Sequence, residues 1–379
     1  MTGPPETAPA LRHRFVAGLR RAGVLTRPDV IAAFDTVPRE AFVAHGFHAS
    51  DGSRVIPADS RFLATVYRDD VLVTKVVDGT PVSSSSQPSL MAVMIESLAP
   101  VPGMRVLEIG AGTGYNAALL AAVGARVTSI DVRPDVVEQA RAALAAAAPT
   151  PGGAAGAVGR VEVRHGDGYL GAPAGGPYDR VIVTVGVAGL SPHWFDQLAP
   201  GGFAIVPVGH CGNHPVLLAT RAGARVISSA GFMSAAGPLS ARYPDAHPVP
   251  VRHPLGVPSV RLAGPWPHGL DVRRYHDLWF AVGVWDRRVT FAGMAQSPGP
   301  GGCALVDPDG DGGALLGRDG TVLATGSQAD RYAVRARELR DRWVRLGEPV
   351  VTRWRTRLLP DGDPAQPILV PREWTLGQA

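Results

Sequence analysis

Short apolar runs alternate with amphipathic stretches through the middle of the chain. The apolar runs are rich in Val and Ile and predict strands, and the stretches between them have the apolar spacing of helices. Because strands that alternate with helices usually pair in parallel, the pattern predicts an α/β fold with a doubly wound sheet. The predicted strands are residues 105–109, 126–130, 161–165, 181–185 and 203–207, and the predicted helices are residues 116–123, 134–147 and 192–198.

A helical section precedes this sheet. Apolar residues recur at helical spacing over residues 12–22 and 27–36. Pro88 is well placed to begin a further helix, because the N–H that proline lacks would have no partner in the first turn. Residues 1–10 are rich in proline and predict a disordered tail. Residues 148–159 form an Ala/Gly/Pro connector that predicts a solvent-exposed loop.

The alternation stops after residue 212. We therefore expect a first domain over residues 11–212 and a smaller α+β extension over residues 213–379, whose role is either substrate recognition or stabilisation of the first domain. Short runs in the extension predict strands at residues 225–228, 278–284, 288–291 and 321–324. From Tyr332 to Leu346 an apolar stripe predicts one amphipathic helix, with arginines on its other faces. That arginine face is either solvated or a docking surface for an acidic peptide.

The composition is that of an ordinary globular protein. The chain has 379 residues, 45% hydrophobic and 18% charged, a length typical of two domains. No apolar run approaches the roughly 18 residues of a membrane span, and the N-terminus lacks the order of a signal peptide, so we expect a cytoplasmic protein without membrane contact. The formal charge of +4 is concentrated between Arg331 and Arg357. The abundance of Arg, Ala, Gly and Pro is typical of a GC-rich genome, and we do not expect nucleic-acid binding.

Cysteine and histidine usage does not favour a metal site. Cys211 and Cys303 are the two cysteines, too few for a disulfide framework or a cysteine-based metal cluster. His210, Cys211 and His214 offer two imidazoles and a thiol, but Gly212 argues against a helix that would align them. We expect no metal. His210 and His214 follow the last predicted strand of the sheet, which could place them at the border of a substrate cleft.

A glycine-rich turn follows the strand predicted at residues 105–109. Gly110, Gly112 and Gly114 allow the backbone to approach a ligand closely and to point N–H groups at an anion. The nicotinamide fingerprint needs Gly or Ala where this chain has Tyr115, which disfavours a nicotinamide-dependent oxidoreductase. Glu108 suits S-adenosylmethionine (SAM), whose cationic end needs a nearby carboxylate. The turn and Glu108 therefore predict a SAM site.

Two further carboxylates follow the next two predicted strands. Asp131 could accept hydrogen bonds from both hydroxyls of a ribose, and Asp167 could bind an adenine amino group, with Gly168 leaving room for the ring. The alternatives are a helix cap for Asp131 and a plain Asp-Gly turn for Asp167. Because the carboxyl ends of parallel strands share one crevice, we expect Asp131, Asp167 and Gly168 to meet the glycine turn there.

A run of serines ends in Gln-Pro shortly before the glycine turn. A hydroxyl before a helix is often only a cap, and four serines could form a flexible loop. A methyltransferase that acts on a carboxylate needs little acid–base catalysis, because its acceptor is already ionised at neutral pH. It needs one carboxylate oxygen aligned with the methyl group, and hydrogen-bond donors provide that alignment. Ser86 and its neighbour Ser85 are the candidate catalytic residues.

From about Leu11 to Gly209 the chain resembles the protein-L-isoaspartate O-methyltransferases. The resemblance implies a Rossmann-like sheet, SAM as methyl donor, and an aspartyl or isoaspartyl carboxylate in a peptide or protein as acceptor. It also implies Ser86 as the active-site serine, with Gly110, Gly112, Asp131 and Asp167 in contact with the cofactor. The matching segments include residues 37–43, Ser86-Gln87-Pro88, the glycine turn, Gly166-Asp167-Gly168 and residues 197–202.

Departures from the family pattern resemble one branch of it. Ser84-Ser85 stands where the family usually has Thr-Ile or similar, and the chain continues for about 170 residues beyond the usual end. With residues 67–70, these features resemble enzymes found with ribosomally made peptide natural products. Such enzymes methylate an ordinary aspartate, and the ester then loses methanol to give an aspartimide or, after hydrolysis, isoaspartate.

Modification of a precursor peptide is therefore the favoured hypothesis, and general repair of isoaspartyl proteins is the alternative. A peptide-binding protein that has lost catalysis is a third hypothesis, against which the intact Ser86, Asp131 and Asp167 argue. The sequence predicts neither the acceptor peptide nor the oligomeric state.

Overall fold

The chain divides into two compact units. The computed structural model describes residues 6–147, 160–240, 242, 246–251, 253–297, 299, 301–310 and 312–377. The first unit is formed by Met1–Val185, Ser191–Val206 and Met233–Leu239, and the second by Gly186–Leu190, Pro207–Phe232 and Ser240–Ala379. The main division thus falls after residue 206, whereas the sequence predicted a boundary after residue 212.

The first unit begins with helices and a small antiparallel sheet. The sheet has the strand order β2-β1-β3-β4, so β4, which carries the serine run, is an edge strand. The helices are α1 (Ala8–Arg21), α2 (Pro28–Thr36), α3 (Phe62–Val66) and α4 (Pro88–Leu98), and the strands are β1 (Phe47–His48), β2 (Arg54–Val55), β3 (Leu72–Val77) and β4 (Thr80–Ser85).

Helix α1 corrects the predicted disordered tail. It begins at Ala8, so the prediction of disorder over residues 1–10 is wrong for residues 8–10. Pro9 lies in the first turn, where proline favours a helix, and the buried Leu11, Phe15 and Leu19 hold the helix to the unit. Residues 1–5 lie outside the described residues, as does the connector predicted at residues 148–159.

The central sheet of the first unit confirms the predicted α/β, doubly wound, Rossmann-like fold. Its strands run in the order β9-β8-β5-β6-β7, and each neighbouring pair is parallel. The order reverses between β5 and β8, which is the place where open α/β sheets bind ligands. The strands are β5 (Arg105–Ile109), β6 (Arg126–Asp131), β7 (Val161–His165), β8 (Tyr178–Val183) and β9 (Leu198–Pro207), and the helices are α5 (Tyr115–Ala122), α6 (Pro134–Ala146) and α7 (Pro192–Asp196).

In its described residues, the second unit contains two groups of antiparallel strands and two long helices. One sheet contains β10, β11, β17 and β18 as successive neighbours, and the other has the order β12-β16-β15-β14-β13. The strands are β10 (His214–Thr220), β11 (Gly223–Ala230), β12 (Val260–Leu262), β13 (Val289–Ala292), β14 (Gly302–Val306), β15 (Gly313–Leu316), β16 (Val322–Thr325), β17 (Trp354–Asp361) and β18 (Ile368–Leu376), and the helices are α8 (Val272–Trp285) and α9 (Ala329–Arg345).

Helix α8 corrects a predicted strand. Residues 278–284, which the sequence predicted as a strand, belong to this helix. A continuous apolar run does not distinguish a buried helix from a buried strand, and here the helix packs Leu278, Phe280 and Val282 into the core. The missed signal is Asp271, whose carboxylate accepts a hydrogen bond from the backbone N–H of Arg274 at 2.9 Å and caps the helix. Among the residues described, none of the helices has the length and apolar character that crossing a membrane requires.

Candidate active site

The glycine turn after β5 has a backbone that only glycine adopts easily. Gly110, Gly112 and Gly114 have φ values of 96°, 52° and 84°, all in the left-handed region. A Cβ atom on Gly110 would lie 2.8 Å from Oγ1 of Thr184, and one on Gly112 would lie 3.2 Å from the carbonyl oxygen of Ser84. The turn is therefore a bare stretch of backbone that touches the serine run.

A buried arginine holds the serine run in place. Arg39 lies in the 3-10 turn Arg39–Val43 and is completely buried. Its Nη2 donates to the carbonyl oxygen of Ser86 at 3.2 Å, and its Nε donates to Oγ of Ser85 at 3.4 Å. Its guanidinium also donates to the carbonyl oxygens of Val66, Arg68 and Asp70.

Arg39 remains a cation despite its burial. Burial lowers the pKa of Arg39 to about 10, so the guanidinium keeps its proton at neutral pH. Charged donors make the stronger hydrogen bonds, and here they fix two separate segments, residues 66–70 and 85–86. The sequence included Arg39 only as part of a family match. The sequence feature that could have drawn attention to Arg39 is the charged pair Arg39-Glu40 directly before three apolar residues.

The two candidate serines occupy different environments. Ser85 is 2% exposed, and its hydroxyl already accepts the hydrogen bond from Arg39. Ser86 is half-buried, and its hydroxyl makes no hydrogen bond with the part of the chain that the structure describes. Of the two, Ser86 therefore has the hydroxyl that is available to a ligand.

The helix after the serine run is fixed at its start by Asp69. One carboxylate oxygen of Asp69 accepts a hydrogen bond from the backbone N–H of Ser89 at 2.8 Å, and the other accepts from Nε2 of Gln87 at 3.3 Å. A carboxylate at a helix N-terminus satisfies backbone N–H groups that have no partner inside the helix. Together with Arg39, Asp69 fixes both sides of Ser86.

Asp131 at the end of β6 contacts the glycine turn. Its Oδ2 accepts a hydrogen bond from the N–H of Gly112 at 3.2 Å, and its Oδ1 accepts from the N–H of Arg133 at 3.0 Å. The second bond forms a turn and is not the helix cap that the sequence left open, because α6 begins at Pro134 and Arg133 is its capping residue. Burial raises the pKa of Asp131, although the two N–H donors oppose that rise. Each oxygen keeps a lone pair for a further donor such as a ribose hydroxyl.

Asp167 and Gly168 lie at the end of β7. Asp167 is exposed, and its Oδ1 accepts a hydrogen bond from the N–H of Tyr169 at 2.9 Å, as in a plain Asp-Gly turn. A Cβ atom on Gly168 would lie 2.6 Å from Cγ2 of Ile109, at the end of β5. The structure thus brings Gly168 to the same edge of the sheet as the glycine turn and Asp131.

Glu108 is buried beneath the turn. It is 0% exposed, and its oxygens accept hydrogen bonds from Nδ2 of Asn116 at 2.6 Å and from Oγ of Ser129. Burial raises the pKa of Glu108 to about 7, against the opposing effect of these two donors. In this structure these bonds join β5 to α5 and β6, and the direct cofactor contact of Glu108 remains a prediction.

A cavity of about 190 Å³ opens beside the glycine turn. Gly112 lines it together with the segment 41–46 and one face of α6. Ser83 of the serine run and Thr113 of the glycine turn also line it. The sequence did not single out the remaining polar side chains of the lining, which are His45, Thr74 and Gln139.

Comparison with known proteins identifies the family. The family model described as Protein-L-isoaspartate(D-aspartate) O-methyltransferase (PCMT) matches residues 11–233. The chain belongs to this family. It is 40% identical over 200 residues to "Protein-L-isoaspartate O-methyltransferase 1" of Rhodopseudomonas palustris, covering 53% of this chain and 70% of that protein. It is 37% identical over 218 residues to a protein-L-isoaspartate O-methyltransferase of Methylorubrum populi, covering 57% and 84%.

A solved structure extends the PCMT likeness to nearly the whole chain. A protein named protein-L-isoaspartate O-methyltransferase aligns with 96% of this chain and 100% of its own, with 25% identity and a TM-score of 0.51. A long C-terminal unit therefore does not by itself separate this chain from proteins that carry the plain family name. The comparisons support the family and not the peptide natural product branch that the length of the chain suggested.

This PCMT-family chain is a SAM-dependent carboxyl O-methyltransferase. Its cofactor is SAM, and the residues at the sheet edge fit that cofactor. Gly110, Gly112 and Gly114 carry no side chains, so a ligand can approach the backbone of the turn closely, and Asp131 lies beside it with a lone pair left on each carboxylate oxygen. The individual SAM contacts all remain predictions; they are those of Glu108, Gly110, Gly112, Gly114, Asp131, Asp167 and Gly168.

Proposed function

We propose that this chain methylates the side-chain carboxylate of L-isoaspartyl residues in proteins and peptides. The observation that carries the proposal is the placement of Ser86, fixed by Arg39 on a loop whose neighbour Ser84 contacts the glycine turn. The names of the relatives support the same substrate. The family match and the names of the relatives favour repair of damaged proteins over modification of a dedicated precursor peptide.

The chemistry asks the protein for alignment more than for proton transfer. SAM supplies an electrophilic methyl group carried on a sulfonium. The acceptor is an ionised carboxylate, so a carbon–oxygen bond replaces the carbon–sulfur bond and both products leave uncharged at that centre. The hydroxyl of Ser86 donates a hydrogen bond to one oxygen of the acceptor carboxylate, which leaves the other oxygen directed at the methyl group. No side chain has to remove a proton.

The cofactor is held by backbone groups and by Asp131. We assign the ribose hydroxyls to the free lone pairs of Asp131, and the adenine amino group to the exposed carboxylate of Asp167. Gly168 leaves room for the ring because it has no side chain, and it packs against Ile109 at the end of β5. Glu108 lies beneath the glycine turn, and its carboxylate fixes the side chain of Asn116 at the start of α5 by accepting a hydrogen bond from it.

Modification of a precursor peptide is the rival function. It was inferred from the serine run and from the length of the chain. The comparisons support the family and do not show this branch of it. Both functions use the same Ser86 and SAM site, and they differ in the acceptor. The rival requires an ordinary aspartate in a constrained peptide and release of methanol after methylation. We assign the second unit to substrate recognition under either function.

Mass spectrometry of the purified full chain with SAM tests the proposal. A linear peptide containing isoaspartate is compared with the same peptide containing aspartate, and both are compared with macrocyclic aspartyl peptides. The expected result is a gain of one methyl group on the isoaspartyl peptide, slowed about 10- to 100-fold in Ser86→Ala and retained in the matched control Ser89→Ala. Methylation confined to a macrocyclic aspartyl peptide, followed by net loss of one water, would establish the rival function.

A further inference from the structure

The second unit contains a cavity of about 310 Å³, a size typical of small-ligand sites. His210, which lines it, begins the tight turn His210–Asn213, in which the N–H of each end residue donates to the carbonyl oxygen of the other, at 2.8 and 2.9 Å. Cys211 has a φ of 45° in this turn, which a residue other than glycine rarely adopts. A Cβ atom on Gly283 of α8 would lie 2.5 Å from Sγ of Cys211. The turn that carries His210 is therefore conformationally constrained and packs against α8.

Two neutral histidines line the cavity. The rings of His210 and His247 meet edge to face, with centroids 4.7 Å apart. Nε2 of His210 donates to the carbonyl oxygen of Phe280 at 3.2 Å, and Nδ1 of His247 donates to that of Val289 at 3.1 Å. Because a carbonyl oxygen only accepts, these nitrogens carry the protons, and the remaining nitrogen of each ring is an acceptor.

The histidines keep this form at neutral pH. Burial lowers the pKa of His210 well below its usual value, and it lowers that of His247 to about 4. The nearby charge of Arg287 lowers the pKa of His247 further. Both rings are therefore uncharged acceptors beside a cationic group.

A bulge directs a tryptophan to the wall of the cavity. The pairing of β17 with β18 shifts register between Arg355 and Arg357, and Glu373 in the facing strand has a φ of 51°. Bulges and left-handed residues of this kind re-aim side chains at functional sites. The ring of Trp374, the next residue, lies 5.4 Å from the ring of His210 and lines the cavity.

The charged groups at the cavity are mainly guanidinium groups. Arg287, Arg342 and Arg372 line it, against the single carboxylate of Glu373. Two of these groups are paired across the strands, Arg372 with Asp361 and Glu373 with Arg357. Arg342 lies over the ring of Trp285, 4.4 Å from its centroid, and no carboxylate of the described residues forms an ion pair with it. A ligand carboxylate would find in Arg342 a guanidinium that no carboxylate of the described residues neutralises.

We propose that this cavity binds an acidic segment of the acceptor polypeptide, with a ligand carboxylate on Arg342 and ligand backbone N–H groups on the neutral histidines. A peptide offers both a carboxylate and N–H donors, and the tryptophan rings provide surface for its apolar atoms. Inorganic phosphate could accept hydrogen bonds from the arginines, but it has few donors for the acceptor nitrogens of the histidines. The identity of the segment as part of the methyl acceptor rests on the proposed function. The binding itself does not.

Calorimetry with the full chain and without SAM tests the proposal. The probe is the peptide Gly-Glu-Tyr-Glu-Gly with an acetylated N-terminus and an amidated C-terminus, and Gly-Gln-Tyr-Gln-Gly with the same blocked termini is the uncharged counterpart. The acidic peptide should bind, the amide peptide should not, and Arg342→Gln should weaken binding by about tenfold or more, the effect of one hydrogen bond to a charged group. Arg345→Gln is the matched control, because Arg345 lies on the same helix outside the cavity and loses the same charge. Thermal melts of both variants establish that each is folded.

Three outcomes would overturn the proposal: no binding of the acidic peptide, equal binding of the two peptides, or an equal effect of Arg342→Gln and Arg345→Gln. Tight binding of inorganic phosphate that depends on Arg342 and displaces the peptide would replace the peptide with a phosphate ligand. Methylation of an isoaspartyl peptide by a chain that fails this binding test would leave the proposed function intact. Peptide binding by a chain that methylates no peptide would support the binding proposal and contradict the proposed function.

Discussion

The guanidinium of Arg39 donates a hydrogen bond to the backbone carbonyl oxygen of Ser86, 3.2 Å away and 47 positions along the chain. The same guanidinium bonds to the hydroxyl of Ser85. A buried cation thus occupies one of the two serine hydroxyls and fixes the backbone that presents the other. The placement of Ser86 depends on Arg39 as much as on the serine run itself.

Arg39→Met should lower the free energy of unfolding by about 3 kcal/mol, because several buried carbonyl oxygens lose their donor at once. In the folded fraction we expect kcat to fall while the Kd for SAM stays near the original value, because the glycine turn makes no bond with Arg39. Urea unfolding and single-turnover methylation measure the two effects. Arg20→Met, at an exposed position of α1, is the control and should change neither quantity. Normal turnover in folded Arg39→Met would show that the loop holds its position unaided.

The two serines should respond differently to replacement by alanine. Ser86→Ala removes the hydroxyl assigned to the acceptor carboxylate, and we expect kcat to fall by about 10- to 100-fold, the value of one hydrogen bond to a charged group. Ser85→Ala removes a buried partner of Arg39 and should lower stability with little effect on kcat in the folded protein. Steady-state kinetics and thermal unfolding of both variants provide the comparison. A larger loss of kcat in Ser85→Ala would reverse the assignment.

Asp131→Ala should weaken SAM binding by about 10- to 100-fold, because a charged acceptor of ribose hydroxyls is lost. The matched control is Asp135→Ala, which removes a carboxylate from the first turn of α6 that is paired with Lys75. Calorimetric titration with S-adenosylhomocysteine measures the Kd without turnover. Equal weakening in both variants would mean that general charge, and not the position of Asp131, governs binding.

Glu108 should make stability depend on pH. Its pKa is raised from 4.5 to about 7 in the folded protein by burial, so the folded state retains a proton that the unfolded state releases. The stabilisation from this group is complete below pH 4.5 and is lost as the pH rises through 7, by about 3 kcal/mol in all.

Glu108→Gln stays uncharged and should remove that part of the pH dependence. Urea unfolding of both proteins between pH 4 and 8 gives the difference in the free energy of unfolding at each pH. We expect the variant to gain stability relative to the original chain as the pH rises through this interval. A difference that does not change with pH would show that Glu108 titrates near its ordinary pKa.

The fold of the first unit follows from local sequence patterns, and so it could be predicted. Strands such as residues 105–109 are continuous apolar runs, and Gly110, Gly112 and Gly114 mark the turn that closes the first of them. Residues 278–284 misled the prediction because an apolar run fits a buried helix and a buried strand equally well.

The parts of the site that the sequence did not predict depend on contacts between distant segments. Arg39 is satisfied by carbonyl oxygens from residues 66 to 86, and no local pattern records such a set of partners. The difference between Ser85 and Ser86 is one of burial, which adjacent identical residues do not reveal in a sequence. Glu108 fitted a cofactor contact by its spacing, yet Asn116 and Ser129 occupy both of its oxygens.

A competition between two acceptors tests the central claim most directly. Equal amounts of one linear peptide in its isoaspartyl and aspartyl forms are incubated with the full chain and SAM, and the two methyl esters are separated and quantified. We predict that the methyl ester forms on the isoaspartyl peptide and that Ser86→Ala forms it about 10- to 100-fold more slowly. Equal methylation of the two peptides, or preference for the aspartyl form, would contradict the account.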